Sequence, residues 1–256
     1  ENTNSEVTKI LFLAANPKNT SRLRIGEEFR EIEEKIRLSK FRDQCQFTTK
    51  WAVRVPDIMQ ALLDVEKAVA KSQAKLKIIP AKAWTEINKK ASFQVKRIAT
   101  IEKKTHHDVI AFVTNVAENV GPYGRYIHYG LTSSDALDTA TSVQLQRAYL
   151  VLEASFKELD KTFLKLIKQH KKTLCAGRTH GIHAEPTTFG FKLAGFYHEF
   201  LRNKERLDKA VRSNFIAKLS GAVGTYSFQS DKLEAMVAKD LKLKVEDFAT
   251  QVIPRD

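Results

Sequence analysis

Hydrophobic residues follow two different patterns along this chain. Within residues 1–60, the runs 7–17 and 46–54 are short, apolar and rich in β-branched or aromatic residues, which is typical of strands. Residues 23–40 lie between them and carry apolar side chains at mostly helical intervals among charges. The order strand, helix, strand, followed by another helix, predicts a small and incomplete α/β segment.

Beyond Pro56 the apolar positions repeat with helical spacing almost throughout. Pro56 opens the first helix, whose apolar stripe stops before Pro80, and a short helix is expected near 81–90. A stripe of valines then predicts another helix that is closed before Pro122. This part of the chain therefore predicts a mainly α fold.

The longest predicted helix begins near Ser134 and continues to about residue 170, which at about 1.5 Å per residue is on the order of 55 Å. Its apolar residues alternate by four and three, as in a coiled-coil seam: Leu145, Tyr149, Leu152, Phe156, Leu159, Phe163 and Leu166. A seam of that length normally packs against other long helices, often from other subunits. A further helix after Pro186 places on one face Phe189, Leu193, Phe196 and Phe200.

Composition indicates the redox compartment of the protein and whether it spans a membrane. The two cysteines, Cys45 and Cys175, lack any ligand-like spacing, so neither a disulfide framework nor a zinc site is expected, and the default is a reducing, cytoplasmic location. No apolar run approaches the roughly 18 residues that a membrane span requires, and the first residues lack the pattern of a signal peptide. We expect a soluble protein without a membrane partner.

The net charge of +13 lies almost entirely beyond residue 64, since residues 1–64 carry 11 basic and 10 acidic side chains. Such an excess favours anionic ligands, either nucleic acid or phosphorylated metabolites. The alternative is a set of solvated helix faces, because the lysines of 157–172 alternate with apolar residues at helical spacing. A nucleic-acid-binding module rests on charge alone and is the weakest interpretation.

Five of the seven histidines fall in three short polar joints, 105–109, 127–135 and 177–188. In the last joint, GRTHG predicts a glycine-flanked turn that exposes Arg178, Thr179 and His180. Arginine can hold a carboxylate or phosphate, and histidine can act as general acid or base. Two alternatives stay open. His180 and His183 could be metal ligands, although no other ligand completes the set. His180 could instead cap a helix or form a hydrogen bond in the core.

The joint before the longest helix has more hydroxyl groups than a helix cap requires. Thr132, Ser133, Ser134 and Asp135 stand side by side there. One such residue suffices to accept hydrogen bonds from the free N–H groups of the first turn. The surplus indicates a site for a carboxylate or another anion at the helix N-terminus, with a simple cap as the alternative.

Five segments carry a resemblance to a known family: FQVKRIATIEKKTHHDVIAFVTNVAENVG, YIHYGLTSSDALDTA, GRTHGIHAEPTTFGFKLAG, KLSGAVGTYS and TQVIPRD. In this order and spacing they closely resemble the adenylosuccinate lyases of the fumarase/aspartase superfamily, over about 62–256. The resemblance implies a long-helix bundle of the fumarase/aspartase type, shared in a homotetramer. It also implies a helical N-terminal lyase domain over 61–130 and the first part of the central bundle over 131–256.

The chemistry that the resemblance implies is β-elimination of fumarate from a small anionic nucleotide, with no metal or organic cofactor. The substrates are adenylosuccinate, which gives AMP, and succinyl-aminoimidazole carboxamide ribotide (SAICAR) of purine synthesis. By the matching motifs, His180 is expected to protonate the departing nitrogen, with His107 as its partner. Thr132, Ser133 and Ser134 are expected to hold the succinyl carboxylates. Further substrate contacts are expected at Asp108, His128, Arg178, Thr179 and Gln251.

The chain also departs from the family pattern. It contains neither the SSxMPxKxNP loop that supplies the catalytic serine nor the N-terminal Arg-Tyr pair that binds the nucleotide phosphate. Residues 1–60 instead resemble the start of bacterial signalling domains of the CHAT or TIR-like kind. We therefore expect the chain alone to be slow or inactive unless a full-length partner complements it. The alternative function is an inactive, truncated fusion with an assembly or regulatory role.

Overall fold

The computed structural model describes residues 8–14, 34, 45–51 and 55–255. The chain divides into two compact units, Glu1–Asp57 and Ile58–Asp256. In the first unit, strand β1 (Thr8–Ala14) pairs in parallel with strand β2 (Cys45–Trp51). Both strands were predicted, with ends a few residues further out. The helix predicted over 23–40 lies outside the described residues except for Glu34, which is helical.

Four helices and a 3-10 turn begin the helical part of the chain: α1 Val55–Lys75, α2 Ala81–Lys90, α3 Val95–Thr105, α4 Asp108–Val120 and the turn Gly121–Tyr126. The predicted stop before Pro122 is confirmed, whereas α1 ends at Lys75, ahead of the stop predicted at Ile79 and Pro80. Pro80, with an extended backbone, precedes α2, and Gly121 ends α4 at a φ of +79° that favours glycine. Helix α3 was not predicted, because Ile98 and Ile101 are its only buried residues.

The longest helix, α5, spans Ser133–His170 and begins one residue before the predicted start. A β-hairpin of β3 (Leu174–Thr179) and β4 (Ile182–Thr188) links it to α6, Phe189–Ser213. Helix α6 runs back along α5 with aromatic contacts at ring distances of 5.7 Å for Phe156 and Phe200 and 5.6 Å for Phe163 and Tyr197. The coiled-coil seam thus packs against a long helix of the same chain.

Two details of this helix pair differ from the sequence prediction. Leu159, a predicted seam residue, is 41% exposed, whereas the other six seam residues are at least half-buried. On α6 the packed residues are Leu193, Tyr197 and Phe200, whereas Phe189 is 39% exposed and Phe196 is 51% exposed. The prediction of Phe196 on the apolar face was wrong by one position, because the 3.6-residue period brings Tyr197 onto the face of Leu193.

The chain after α6 returns to the start of α5. Strand β5 (Ile216–Ala217) pairs in parallel with β6 (Lys244–Val245), and α7 (Asp231–Leu241) lies between them in sequence. The hydroxyl of Ser230 caps α7 by accepting the N–H of Leu233. One core joins the apolar faces of α1, α4, α5 and α7 through residues that include Val65, Val69, Phe112, Val116, Ala136, Ala140, Leu233 and Val237.

The described residues from 55 onward are mainly helical, as predicted. None of the helices among them combines the length and the apolar character that a membrane span requires.

Candidate active site

The start of α5 keeps two hydroxyl groups without hydrogen-bond partners. Asp135, not a serine, closes the helix end: its Oδ2 accepts the backbone N–H of Thr132 at 3.0 Å. Ser133 and Ser134 are half-buried, and their hydroxyls bond to nothing in the described part of the chain. The predicted surplus of hydroxyl groups is therefore real, and these two groups are available to an anionic ligand at the positive end of the helix.

A buried ion pair ties a distant loop to this helix start. Lys218 Nζ lies 2.8 Å from Asp135 Oδ1, and the two side chains are 1% and 0% exposed. The same oxygen accepts the N–H of Gly221 at 3.2 Å, and the ammonium group also donates to the Gly221 carbonyl. One turn further along α5, the Thr139 hydroxyl bonds the backbone of Lys218. The loop after β5 is thus fixed against the first two turns of α5.

His128 lies in the joint before α5 and is paired with a buried acid. Glu66 of α1 is 1% exposed, and its Oε1 lies 2.7 Å from His128 Nδ1. Its other oxygen accepts the His128 backbone N–H at 2.8 Å. Burial lowers the pKa of the imidazole, but the hydrogen bond and charge of Glu66, with the nearby charge of Asp135, outweigh it and leave the pKa raised. The raised pKa makes the cationic form of His128 more populated than it is in a free imidazole.

His107 and Asp108 form the corner between α3 and α4. The His107 ring caps α4, because its Nδ1 accepts the N–H of Ile110 at 3.4 Å. Asp108 Oδ1 accepts the N–H of Val109 at 2.7 Å and lies 3.4 Å from His107 Nδ1. Both side chains are exposed. This corner is at the opposite end of the 13-residue helix α4 from the 3-10 turn, a separation of about 20 Å.

Arg178, Thr179 and His180 lie on the hairpin between α5 and α6. Arg178 and Thr179 end β3, and His180 and Gly181 form the turn, where φ is +51° and +75°. Positive φ at both residues is what a two-residue hairpin of the I′ type requires. All three side chains are exposed. The turn is therefore tighter than the sequence indicated, and the alternative of His180 as a core residue is excluded.

The metal alternative finds no support in the same hairpin. His183 Nε2 faces the Arg178 guanidinium at 3.4 Å. Among the described residues, no group of three or more His, Cys, Asp or Glu side chains is arranged to hold a metal ion.

Gln251 lies on a segment that crosses the first turns of α5. Ile253 donates its N–H to Asp138 Oδ2 at 2.8 Å, and Arg255 donates to the Asp138 carbonyl at 2.8 Å. Gln251 itself is exposed. Beside this segment a pocket of about 390 Å³ is lined by residues that include Ser220, Tyr226, Glu246, Phe248 and Thr250.

The predicted site residues fall into three separate places within one chain. The hydroxyl residues, His128 and the Gln251 segment lie around the start of α5. The hairpin with His180 follows the far end of this 38-residue helix, about 55 Å away along its axis. His107 lies at its own corner. No hydrogen bond, ion pair or ring contact joins His107 to His180 in the part of the chain that the structure describes.

Lys218 and Glu66 are the polar residues that sequence reasoning missed. A signal for Glu66 exists, since it occupies a position of the apolar stripe of α1, with Leu62, Val65 and Val69. A charge at such a position requires a buried partner. Lys218 stood within the KLSGAVGTYS motif, but nothing in its local pattern indicates that it is buried.

Comparison with known proteins identifies the family of this chain. A protein-family model described as lyase matches residues 29–256. The chain belongs to this lyase family. The adenylosuccinate lyase of Synechocystis is 49% identical over 198 residues, which cover 77% of this chain and 46% of that protein. The corresponding enzyme of Bacillus subtilis is 42% identical over 197 residues, covering 77% of this chain and 46% of the enzyme. Both of these relatives are adenylosuccinate lyases, and each matches over about three quarters of this chain.

Solved structures of the lyase family have the same fold. A fumarate lyase from Mesorhizobium sp. BNC1 superposes with a TM-score of 0.70 at 27% identity, over 77% of this chain and 48% of that one. A 3-carboxy-cis,cis-muconate lactonizing enzyme from Pseudomonas putida superposes with a TM-score of 0.68 at 28% identity, over 74% of this chain and 45% of that one. This lyase-family chain thus spans less than half the length of the relatives it matches.

Proposed function

We propose that this chain carries the acid and the substrate-binding part of an adenylosuccinate lyase. The reaction is β-elimination of fumarate from adenylosuccinate, which leaves AMP, and from succinyl-aminoimidazole carboxamide ribotide. The observation that carries the proposal is the start of α5, where the Ser133 and Ser134 hydroxyls at the helix N-terminus have no hydrogen-bond partner among the residues that the structure describes. The identity of 42–49% to adenylosuccinate lyases supports the choice of substrate.

The roles proposed for the residues follow from the chemistry of elimination. Elimination removes a proton from the Cβ atom and breaks the carbon–nitrogen bond. His180 donates a proton to the departing nitrogen, and the base that takes the Cβ proton is the serine of the loop missing from this chain, which a complementing full-length partner would supply. Thr132, Ser133 and Ser134 hold the succinyl carboxylates, so that negative charge develops beside a helix N-terminus. His107 assists His180 from another chain. Further substrate contacts are proposed at Asp108, His128, Arg178, Thr179 and Gln251.

We propose a homo-oligomer, and specifically a tetramer, as the active assembly. Helix α5 separates its first turn from the hairpin by about 55 Å, so one chain cannot bring both to one substrate. Two copies in antiparallel contact would do so. Exposed apolar side chains along α5 and α6 support such contact: Leu150, Val151, Leu164, Phe191 and Phe196.

The free thiol of Cys175 supports a reducing, cytoplasmic location.

The test is fumarate release from adenylosuccinate by the purified chain. We expect slow turnover, because the serine loop is missing from these residues, and a further loss of about 10²-fold or more in His180→Ala, since this is the usual contribution of a general acid. His198→Ala is the matched control, because His198 is an exposed histidine on α6 outside the proposed site. Equal loss in both variants, or adenylosuccinate that neither binds nor reacts, would contradict the proposal.

A mixing experiment tests the shared site. His180→Ala and Ser133→Ala chains, each impaired alone, are unfolded together and refolded as mixed oligomers. Recovery of part of the wild-type rate is expected, because some sites then combine an intact hairpin with an intact helix start. Activity no higher than the average of the two parents would count against a site built from different chains.

A further inference from the structure

Glu66 is a buried acid whose two oxygens are both used by one residue. Its side chain is 1% exposed on the apolar face of α1. One oxygen accepts the backbone N–H of His128 at 2.8 Å, and the other lies 2.7 Å from Nδ1 of the same residue. A buried carboxylate is costly unless it is paired and hydrogen-bonded. The role of Glu66 is therefore to bind His128, and not to contribute to the apolar packing of α1.

This double contact determines which edge of the imidazole stays available. His128 has a φ of +61°, and its carbonyl accepts the N–H of Leu131 at 3.3 Å in the turn before α5. With Nδ1 held by Glu66, the opposite ring atom Nε2 has no hydrogen-bond partner among the described residues. The side chain remains 12% exposed, so Nε2 is reachable while most of the ring is covered.

The charge state of the ring suits an anionic ligand. The acidic groups that act on His128 are Glu66 of α1 and Asp135 of α5, and together they favour the imidazolium despite burial. An imidazolium whose Nδ1–H is bonded to Glu66 has one remaining donor, Nε2–H. Charge-assisted hydrogen bonds of this kind to a carboxylate are about twice as strong as neutral ones.

We propose that Glu66 is a positioning residue of the substrate site: it fixes His128 so that Nε2–H donates to a carboxylate of the ligand held at the start of α5. The proposal rests on the proposed function and adds a residue to it. Glu66 does not contact the ligand. Its role is to supply the fixed ring orientation and the positive charge through His128.

The first test measures the ring of His128 in the wild-type chain by ¹⁵N NMR over pH. We expect Nδ1 to stay protonated in the neutral form and a pKa above the usual 6.5. In Glu66→Gln the pKa is expected to fall, because burial then acts without the carboxylate. A neutral ring that is protonated at Nε2 instead of Nδ1 in the wild type would overturn the proposal, even if Glu66→Gln fails to fold.

The second test measures adenylosuccinate binding by isothermal titration calorimetry. We expect Glu66→Gln to bind about tenfold more weakly or worse, the usual cost of losing a charge-assisted hydrogen bond, and His128→Gln to lose as much. Glu86→Gln, at a half-buried acid paired with Lys90 on α2, is the control and should bind like the wild type. Wild-type affinity in Glu66→Gln overturns this inference alone. Absence of binding by the wild type contradicts the proposed function itself.

Discussion

The ammonium group of Lys218 lies 2.8 Å from the carboxylate of Asp135, with both side chains buried. Asp135 at the same time closes the first turn of α5 through the Thr132 N–H. The pair therefore connects the loop after β5 to the hydroxyl residues at the helix start. Removal of either charge is therefore expected to disturb both this loop and the start of α5.

Loss of one member of this pair is expected to be costly. Asp135→Asn leaves a buried ammonium group without its counter-charge, and we expect the free energy of unfolding to fall by about 3–5 kcal/mol. Lys218→Met should lower the free energy of unfolding by a similar amount. The double variant should cost less than the sum of the two, because neither charge is then left alone.

Urea unfolding followed by circular dichroism measures these differences. Lys161→Met removes a partner of the exposed Glu158 and should leave the midpoint unchanged. Additive costs in the double variant would mean that the two buried charges do not act as a pair.

The His128–Glu66 contact makes stability depend on pH in a definite direction. The pKa of His128 is raised in the folded chain above 6.5, so the folded state binds the proton more tightly than the unfolded state. This contribution is fully present below about pH 6.5 and is lost as the pH rises through the folded pKa. As the pH rises from 6 to 9, the free energy of unfolding should therefore fall less in His128→Gln than in the wild type.

Thermal unfolding at these two pH values is the measurement. His198→Gln changes an exposed histidine and should retain the wild-type pH dependence. The same loss of stability in wild type and His128→Gln would show that another group causes it.

Gly224 is expected to tolerate no side chain, for two separable reasons. Its φ is +80°, and a Cβ there would meet the carbonyl oxygen of Ala249 and lie 3.1 Å from Thr250 Cα. Gly221, in the same loop, has a φ of +86° but open space around a Cβ. Gly221→Ala should therefore cost about 1 kcal/mol from backbone strain alone. Gly224→Ala should cost clearly more in urea unfolding, and equal costs would contradict the close approach to the Gln251 segment.

Tyr226 and Glu234 hold the other side of this loop. The Tyr226 hydroxyl donates to Glu234 Oε2 at 2.6 Å, and the second oxygen accepts the N–H of Leu219 at 2.7 Å. Burial and the hydrogen bond to Glu234 raise the pKa of the phenol. We expect Tyr226→Phe to lower the free energy of unfolding by about 1.5 kcal/mol.

An ultraviolet titration should show that Tyr226→Phe removes a phenol whose pKa is raised above the usual range of tyrosine. Tyr129→Phe, at a residue that is 50% exposed, is the control for stability. A Tyr226→Phe variant as stable as this control would mean that the hydrogen bond contributes nothing.

Much of the fold was predictable because its signals are local. Pro122 follows the end of α4 and Pro80 precedes the start of α2, positions that suit proline because it lacks an N–H and restricts the residue before it. The long helix α5 follows from its apolar period, and the hydroxyl residues before it were correctly expected at its start. The error at Phe196 was small, because period alone does not decide which side of an apolar stripe meets its neighbour.

The sequence by itself determined most of the helices but not α3 or α7, most of the seam of α5, and the motifs that relate the chain to the lyases. Only the tertiary structure decided that Lys218 meets Asp135 across 83 residues and that Glu66 meets His128 across 62. Helix limits depend on neighbours three and four residues away, which the sequence displays directly. The partner of a buried charge depends on how distant elements pack, and a single charged residue in an apolar stripe indicates that a partner exists without indicating which one it is.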